Sequence, residues 1–145
     1  MVQTVTFAVA VLGAVLGVIN TWHNLDKSRV KLRVRPAHAI PVGAADQRIE
    51  LSIEISNLSA FAVSVSEAGV LYSGTRNRGA IINPLFANGG GWPRRLEPRS
   101  SITVYSHLPP AHGRGIKCAY ARTECGVIKT GTSPALKQMA REQEL

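Results

Sequence analysis

The sequence predicts an N-terminal transmembrane α-helix followed by an all-β domain, built as an antiparallel β-sandwich, and a short C-terminal helix. Three observations carry this reading: an uncharged apolar opening, a series of short segments alternating apolar and polar residues, and a switch to helical spacing near the end. The predicted divisions are an anchor helix over 1–25, a β-sandwich over 26–132 and a short amphipathic helix over 133–145. A chain of 145 residues carries one such domain once the anchor is set aside. Its 13 Gly and eight Pro lie mostly after Pro36 and punctuate the chain at the spacing of short strands and turns. Two cysteines, Cys118 and Cys125, are too few for a disulfide framework, so a hydrophobic core must hold the domain.

In the opening segment every residue from Val5 to Ile19 is apolar or small except Thr6, and no charge occurs before Asp26. About 20 helical residues span a hydrocarbon core of roughly 30 Å, so the stretch 2–22 is long enough. Trp22 follows its last strongly apolar residue, where an amphipathic ring sits at headgroup level. A cleaved signal peptide is the main competitor. That reading wants basic residues ahead of the apolar run and small residues behind it, and neither Met1-Val2-Gln3-Thr4 nor Val18-Ile19-Asn20-Thr21-Trp22 supplies them. Gly13 and Gly17 form a G-x-x-x-G, with Ala10 and Ala14 on neighbouring faces, a pattern that lets helices approach closely in lipid. Self-association or docking on the helices of other membrane proteins is therefore expected.

The net charge of +8 is unevenly placed. Lys27, Arg29, Lys31, Arg33 and Arg35 fall just after the apolar stretch, and no basic residue precedes it. The positive-inside rule then predicts a single-pass protein of the inner (plasma) membrane, N-terminus outside and domain in the cytoplasm. The same basic residues would also meet anionic membrane lipid. Because 30–35 alternates strictly, those charges equally suit the solvent face of a strand.

Among the predicted strands, 29–35 places Val30, Leu32 and Val34 on one face and is ended by Pro36. The segment 48–56 is the clearest, with Ile49, Leu51, Ile53 and Ile55 pointing one way and Glu50, Ser52, Glu54 and Ser56 the other. Asn57-Leu58-Ser59 reads as a turn, and Phe61, Val63 and Val65 resume the alternation, followed by a run over 68–72. Further strands are expected over 101–106, 116–122 and 127–130. The last two form a hairpin through Thr123-Glu124-Cys125-Gly126, with Gly126 supplying a positive φ. About seven strands result. After Thr132, Ser133 is placed to cap a helix, Pro134 suits its first position, and Leu136, Met139 and Ala140 share one face.

Two pieces sharpen the fold. Ile53-Glu54-Ile55-Ser56-Asn57-Leu58-Ser59 followed by Phe61-Ala62-Val63-Ser64-Val65 resembles the strand, Asn-turn, strand hairpin of immunoglobulin-like domains. Leu96-Glu97-Pro98-Arg99-Ser100-Ser101-Ile102-Thr103-Val104 is similar to the Pro-containing turn that leads into a strand there. The resemblance covers roughly 29–132 and extends to uncharacterised single-pass membrane proteins carrying a small immunoglobulin-like β-sandwich. It departs from antibody domains in lacking their cysteine, tryptophan, cysteine spacing. It implies a fold, not a function.

The segment 82–93 reads as a mobile loop centred on Asn88-Gly89-Gly90-Gly91-Trp92-Pro93. Trp92, Arg94 and Arg95 are the candidate protein contact, since Trp and Arg dominate interface hot spots. The competing reading folds Trp92 back over an open end of the domain. His107, His112, Cys118 and Cys125 have metal-ligand chemistry but not the tight spacing of zinc knuckles, so no metal site is expected. No G-x-S-x-G, H-E-x-x-H or phosphate-binding glycine loop occurs, so no catalytic residues and no cofactor are expected. Asn57-Leu58-Ser59 fits a glycosylation acceptor only if the domain were translocated. A sequence pI near 10.2 raises nucleic acid, but the densest basic run lies where membrane topology accounts for it, and nucleic acid is not an expected partner.

These readings converge on a membrane-anchored, non-catalytic accessory subunit of bacterial or phage type whose sandwich binds a protein partner. Two alternatives stay open: a structural component of a virion or other large membrane-associated assembly, and an enzyme whose site the sequence does not reveal.

Overall fold

The computed structural model describes residues 1–43 and 46–145. It consists of an apolar helix, two antiparallel sheets around one core, and a short closing helix.

Helix α1, Val2–Ser28, runs 27 residues, three past the predicted anchor boundary of residue 25, and buries none of them. At about 1.5 Å per residue it is some 40 Å long. Its best 18-residue window has a mean hydropathy of 2.2. One helix near the N-terminus is thus long and apolar enough to span a membrane. Two of its three threonines turn their hydroxyls back onto the helix: Thr6 Oγ1 donates to Val2 O at 3.0 Å and Thr21 Oγ1 to Gly17 O at 2.8 Å. These two hydroxyls are satisfied within the helix, as a polar group away from water requires.

A three-residue connector, 29–31, leads to strand β1 (Leu32–His38). The other strands among the described residues are β2 (Leu51–Asn57), β3 (Val63–Tyr72), β4 (Arg78–Ala80), β5 (Leu85–Phe86), β6 (Arg94–Leu96), β7 (Ser101–Ser106), β8 (Ile116–Thr123) and β9 (Ile128–Gly131). One sheet has the order β1-β2-β7-β5, the other β4-β3-β8-β9, with β6 also paired to β3. All pairings are antiparallel.

The alternation read from the sequence becomes burial. Leu51, Ile53 and Ile55 of β2 and Val104 of β7 are fully buried, and they share a core with Val65, Val70, Ala119 and Ala121 of the other sheet. Each large aliphatic side chain so placed contributes on the order of 1.5–3 kcal/mol. The hairpin between β8 and β9 turns where expected, with Gly126 at φ 89°. In the turn between β6 and β7, Pro98 is followed by Arg99 at φ 62°, and Ser100 N donates to Glu97 O at 3.2 Å. That is a type II turn, which normally places glycine where Arg99 stands.

Three expectations need correction. The first strand does not end at Pro36: α1 persists to Ser28, and β1 begins at Leu32 and continues to His38, with Pro36 buried opposite Ile53. An edge strand tolerates proline because its missing N–H faces away from the sheet. The segment 82–93 is not a free loop, because Leu85 and Phe86 pair with Tyr105 and Val104 as β5. The strand number is higher than about seven because β4, β5 and β6 have only two or three residues each, too few to show an alternation.

Helix α2 (Pro134–Glu144) forms as its residues dictate. Ser133 Oγ accepts from Leu136 N at 3.1 Å, Pro134 occupies the first turn, and Leu136, Met139 and Ala140 are buried against β1 and β8.

Candidate functional site

The two ends of the β domain differ in chemistry. At the end next to α1, β1 starts, β2 hands over to β3, β6 to β7 and β8 to β9. The other end carries the long connections, and there the outward face of the first sheet holds a hollow of 540 Å³.

That hollow is built from the register. Ala37, Ser52, Tyr105 and Leu85 stand side by side in one row across β1, β2, β7 and β5. The segment 39–42 rises beside this row, and Ser52 is buried although it stands on an outward position. The lining includes His38, Ile40, Val42, Leu85, Phe86 and Tyr105. Ile40 is 78% exposed, Val42 83% and Leu85 49%, so the rim is apolar and open to solvent. Ser52 Oγ is already committed, donating to Ala37 O at 3.2 Å. A surface of this kind suits the apolar side chains of a partner better than a charged ligand.

The adjoining loop is held by short-range polar contacts. Arg48 donates from Nε to Asp46 Oδ1 and from Nη2 to Oδ2, each at 3.2 Å, and holds the Asp46 carboxyl below its ordinary range. His107 Nδ1 donates to Arg48 O at 2.7 Å, which ties this loop to the end of β7.

The residues singled out from the sequence are distributed over separate regions. Ala10, Gly13, Ala14 and Gly17 lie on exposed α1, and a Cβ added at Gly13 or Gly17 would meet nothing within 4 Å. Trp22 is exposed near the end of the apolar stretch. Lys27 is on α1, Arg29 and Lys31 are in the connector, and Arg33 and Arg35 climb β1 on its exposed face. Lys31 Nζ pairs with Asp26 Oδ2 at 2.6 Å.

Trp92 is turned inward. Its Nε1 donates to Ile81 O at 3.0 Å, and its ring meets Phe86 edge to face at 5.1 Å between centroids. Arg94 lies over the other side of this group, its guanidinium carbon 4.5 Å from the Phe86 centroid, and it also donates to Gly89 O at 3.0 Å. Arg95 pairs with Glu97 at 2.9 Å. Trp92 and Arg94 thus contact groups of their own chain while staying partly exposed.

Sequence reasoning missed the hollow. Ile40 and Val42 belong to a segment without periodicity, and Leu85 to a two-residue strand; several large apolar residues in nonperiodic stretches were the only signal.

The sulfur and imidazole groups stay apart. Cys118 lies in β8 and Cys125 in the turn after it; both are free, with Cys118 half-buried and Cys125 exposed. Burial pushes the Cys118 thiol up, while the Thr123 hydroxyl beside Cys125 draws that thiol down. Among the described residues no three His, Cys, Asp or Glu side chains are grouped so as to hold a metal ion.

Asn57, the candidate glycan acceptor, is fully buried, and Nδ2 donates to Phe61 O at 2.8 Å, Leu96 O at 3.1 Å and Glu97 O at 3.3 Å. Its oxygen accepts from Ser59 N at 2.9 Å. This side chain joins two turns and has no room for a sugar.

No protein-family model matches the chain, and no curated protein is significantly similar to it.

Proposed function

We propose that this chain is a membrane-anchored, non-catalytic interaction subunit, with α1 crossing the bilayer and the β domain binding a protein partner through the apolar hollow at its far end. The observation that carries the reading is the pairing of two apolar surfaces unused by the fold: a 27-residue helix without a buried residue, and the open rim of Ile40, Val42 and Leu85. The fold assigned to the domain is an immunoglobulin-like sandwich. Its support is the strand order, since β1-β2-β7-β5 and β4-β3-β8-β9 follow the A-B-E-D and C′-C-F-G orders of that architecture.

The domain faces the cytoplasm, because Lys27, Arg29, Lys31, Arg33 and Arg35 all follow the apolar stretch. In the membrane, the Gly13 and Gly17 face with Ala10 and Ala14 meets the helix of another membrane protein or of a second copy.

The test has two arms. In alkaline-washed, floated membranes the full-length chain is expected to remain, with Met1 or its processed neighbour still present, and to be digested by protease only after the cytoplasmic face is opened. A chain lacking α1, or one released by the wash, would refute the anchor. In the second arm, photocrosslinking from position 40 or 85 in cells is expected to give a discrete adduct that Leu85→Glu abolishes, while crosslinking from exposed Asn77 gives none. Equal adducts from all three positions would refute the hollow as the binding surface.

A further inference from the structure

The anchor-side end of the β domain is knitted into one surface. Lys31 N donates to Ser59 Oγ at 2.7 Å, and Lys31 O accepts from Leu58 N at 2.7 Å, so the connector is bonded to the turn between β2 and β3. Asn57 N donates to Ser100 O at 2.8 Å, and the Asn57 side chain reaches Phe61 O, Leu96 O and Glu97 O. The turns 58–62 and 97–100 therefore move together with Lys31 and the start of β1.

The height of this surface follows from chain geometry. If the hydrocarbon ends near Trp22, the remaining helical residues to Ser28 rise about 9 Å. A headgroup layer is roughly 5–8 Å deep on each side. The knitted turns thus sit at the outer boundary of the headgroups. Phe61, 36% exposed, and Ala60 and Pro98, both exposed, supply apolar matter there. The cations at this end are Lys27, Arg29, Lys31, Arg95 and Arg99 and the acids Asp26, Glu97 and Glu124, a positive balance. Asp26 and Glu97 are already paired, with Lys31 and Arg95. Lys27, Arg29 and Arg99 remain for an outside anion. Arg99 holds φ 62°, a conformation that favours glycine, at a turn position where a side chain this long is not needed to fold.

Resting on the membrane-anchor reading, we infer that the end of the β domain formed by turns 58–62 and 97–100 lies flat on the bilayer, with Phe61 among the headgroups and Arg29 and Arg99 on anionic phospholipid phosphates. The hollow is then held at the opposite end, away from the lipid, and presented to the cytoplasm in a fixed orientation.

The experiment uses the full chain with Cys118→Ala and Cys125→Ser, spin-labelled at Ala60→Cys or at Asn77→Cys, in vesicles containing phosphatidylglycerol or phosphatidylcholine alone. Flotation is scored first, then accessibility of the label to oxygen and to a water-soluble nickel chelate. The label at 60 is expected to be oxygen-accessible and shielded from nickel in anionic vesicles, and the label at 77 to be fully aqueous. Arg99→Asn, which keeps the left-handed turn, is expected to lower the ratio of docked to undocked label about five-fold in those vesicles. Failure to float would overturn the anchor and, with it, the docking. Flotation with label 60 as aqueous as label 77 would overturn the docking alone, and an unchanged ratio in Arg99→Asn would overturn the part given to Arg99.

Discussion

Replacing Asn57 with alanine removes a fully buried amide whose nitrogen serves three carbonyl oxygens and whose oxygen satisfies Ser59 N–H. Water cannot fill in without opening the turns that surround it. Leaving the Leu96 carbonyl and the Ser59 N–H without partners costs about 1–3 kcal/mol each, and the void adds to it, for roughly 3–5 kcal/mol in all. Set against a total stability on the order of 5–15 kcal/mol, this is a large fraction. The melting temperature should fall by roughly 12–20 °C at the scale of a domain this size. Thermal unfolding of the full chain in detergent, followed by the β-sheet signal in circular dichroism, measures it. Asn57→Asp supplies the internal control. A carboxylate facing three carbonyl oxygens is raised above its unfolded pKa, so its stability deficit is smallest in acid and grows as pH rises through and above the carboxyl range. An Asn57→Ala protein that melts within a few degrees of the parent, or an Asn57→Asp protein with no loss between pH 4 and 7, would refute the view that this one amide joins the two turns.

Gly131→Ala should be among the most damaging changes in the chain, because an added Cβ would lie 1.8 Å from Val34 O, and β9 must then move away from β1; proteolysis of the full chain should release the segment after β8 early. Ser133→Ala removes the cap of α2 and should cost about 1 kcal/mol, read by the same thermal assay, with Ser133→Asp restoring most of it. Cys125 should react with iodoacetamide at neutral pH at least roughly ten-fold faster than Cys118, since it is exposed and its thiol is lowered by the Thr123 hydroxyl while burial raises the other; mass spectrometry of timed samples checks the order.

Much of the fold was legible because it rests on local rules. The period of two over 51–55 and 101–106 predicted strands whose inward Leu51, Ile53, Ile55 and Val104 are fully buried, and Ser133-Pro134 with Leu136, Met139 and Ala140 predicted a helix that forms as read. Gly126 was identified from its neighbours alone. What escaped depends on distant partners. Pro36 reads as a stop unless β1 is known to be an edge strand, and the pairing of Leu85 and Phe86 depends on β7, some twenty residues later. For Trp92 the sequence left two readings, an exposed recognition residue or a ring folded back over an open end, and only the arrival of Ile81 O and Phe86 beside it supplies the contacts of the second. Asn57 looked like part of an ordinary turn; that Leu96 and Glu97 arrive beside it is a fact of topology. The hollow is the extreme case, since its row of Ala37, Ser52, Tyr105 and Leu85 exists only once four strands are in register.

The lengths of the outermost strands bear on how copies of this protein meet. A sheet can recruit a foreign strand wherever its outer backbone groups are unpaired, and that danger rises when molecules are confined to a surface and thereby concentrated. Here β5 has two residues, β4 and β6 three each, and β9 four, while the seven residues of β1 are interrupted by Pro36 and β1 lies close against β9, as the approach of Gly131 to Val34 shows. None offers an intruding chain a long unbroken template. Short edges of this kind give crowded copies little backbone on which to add a strand to one another.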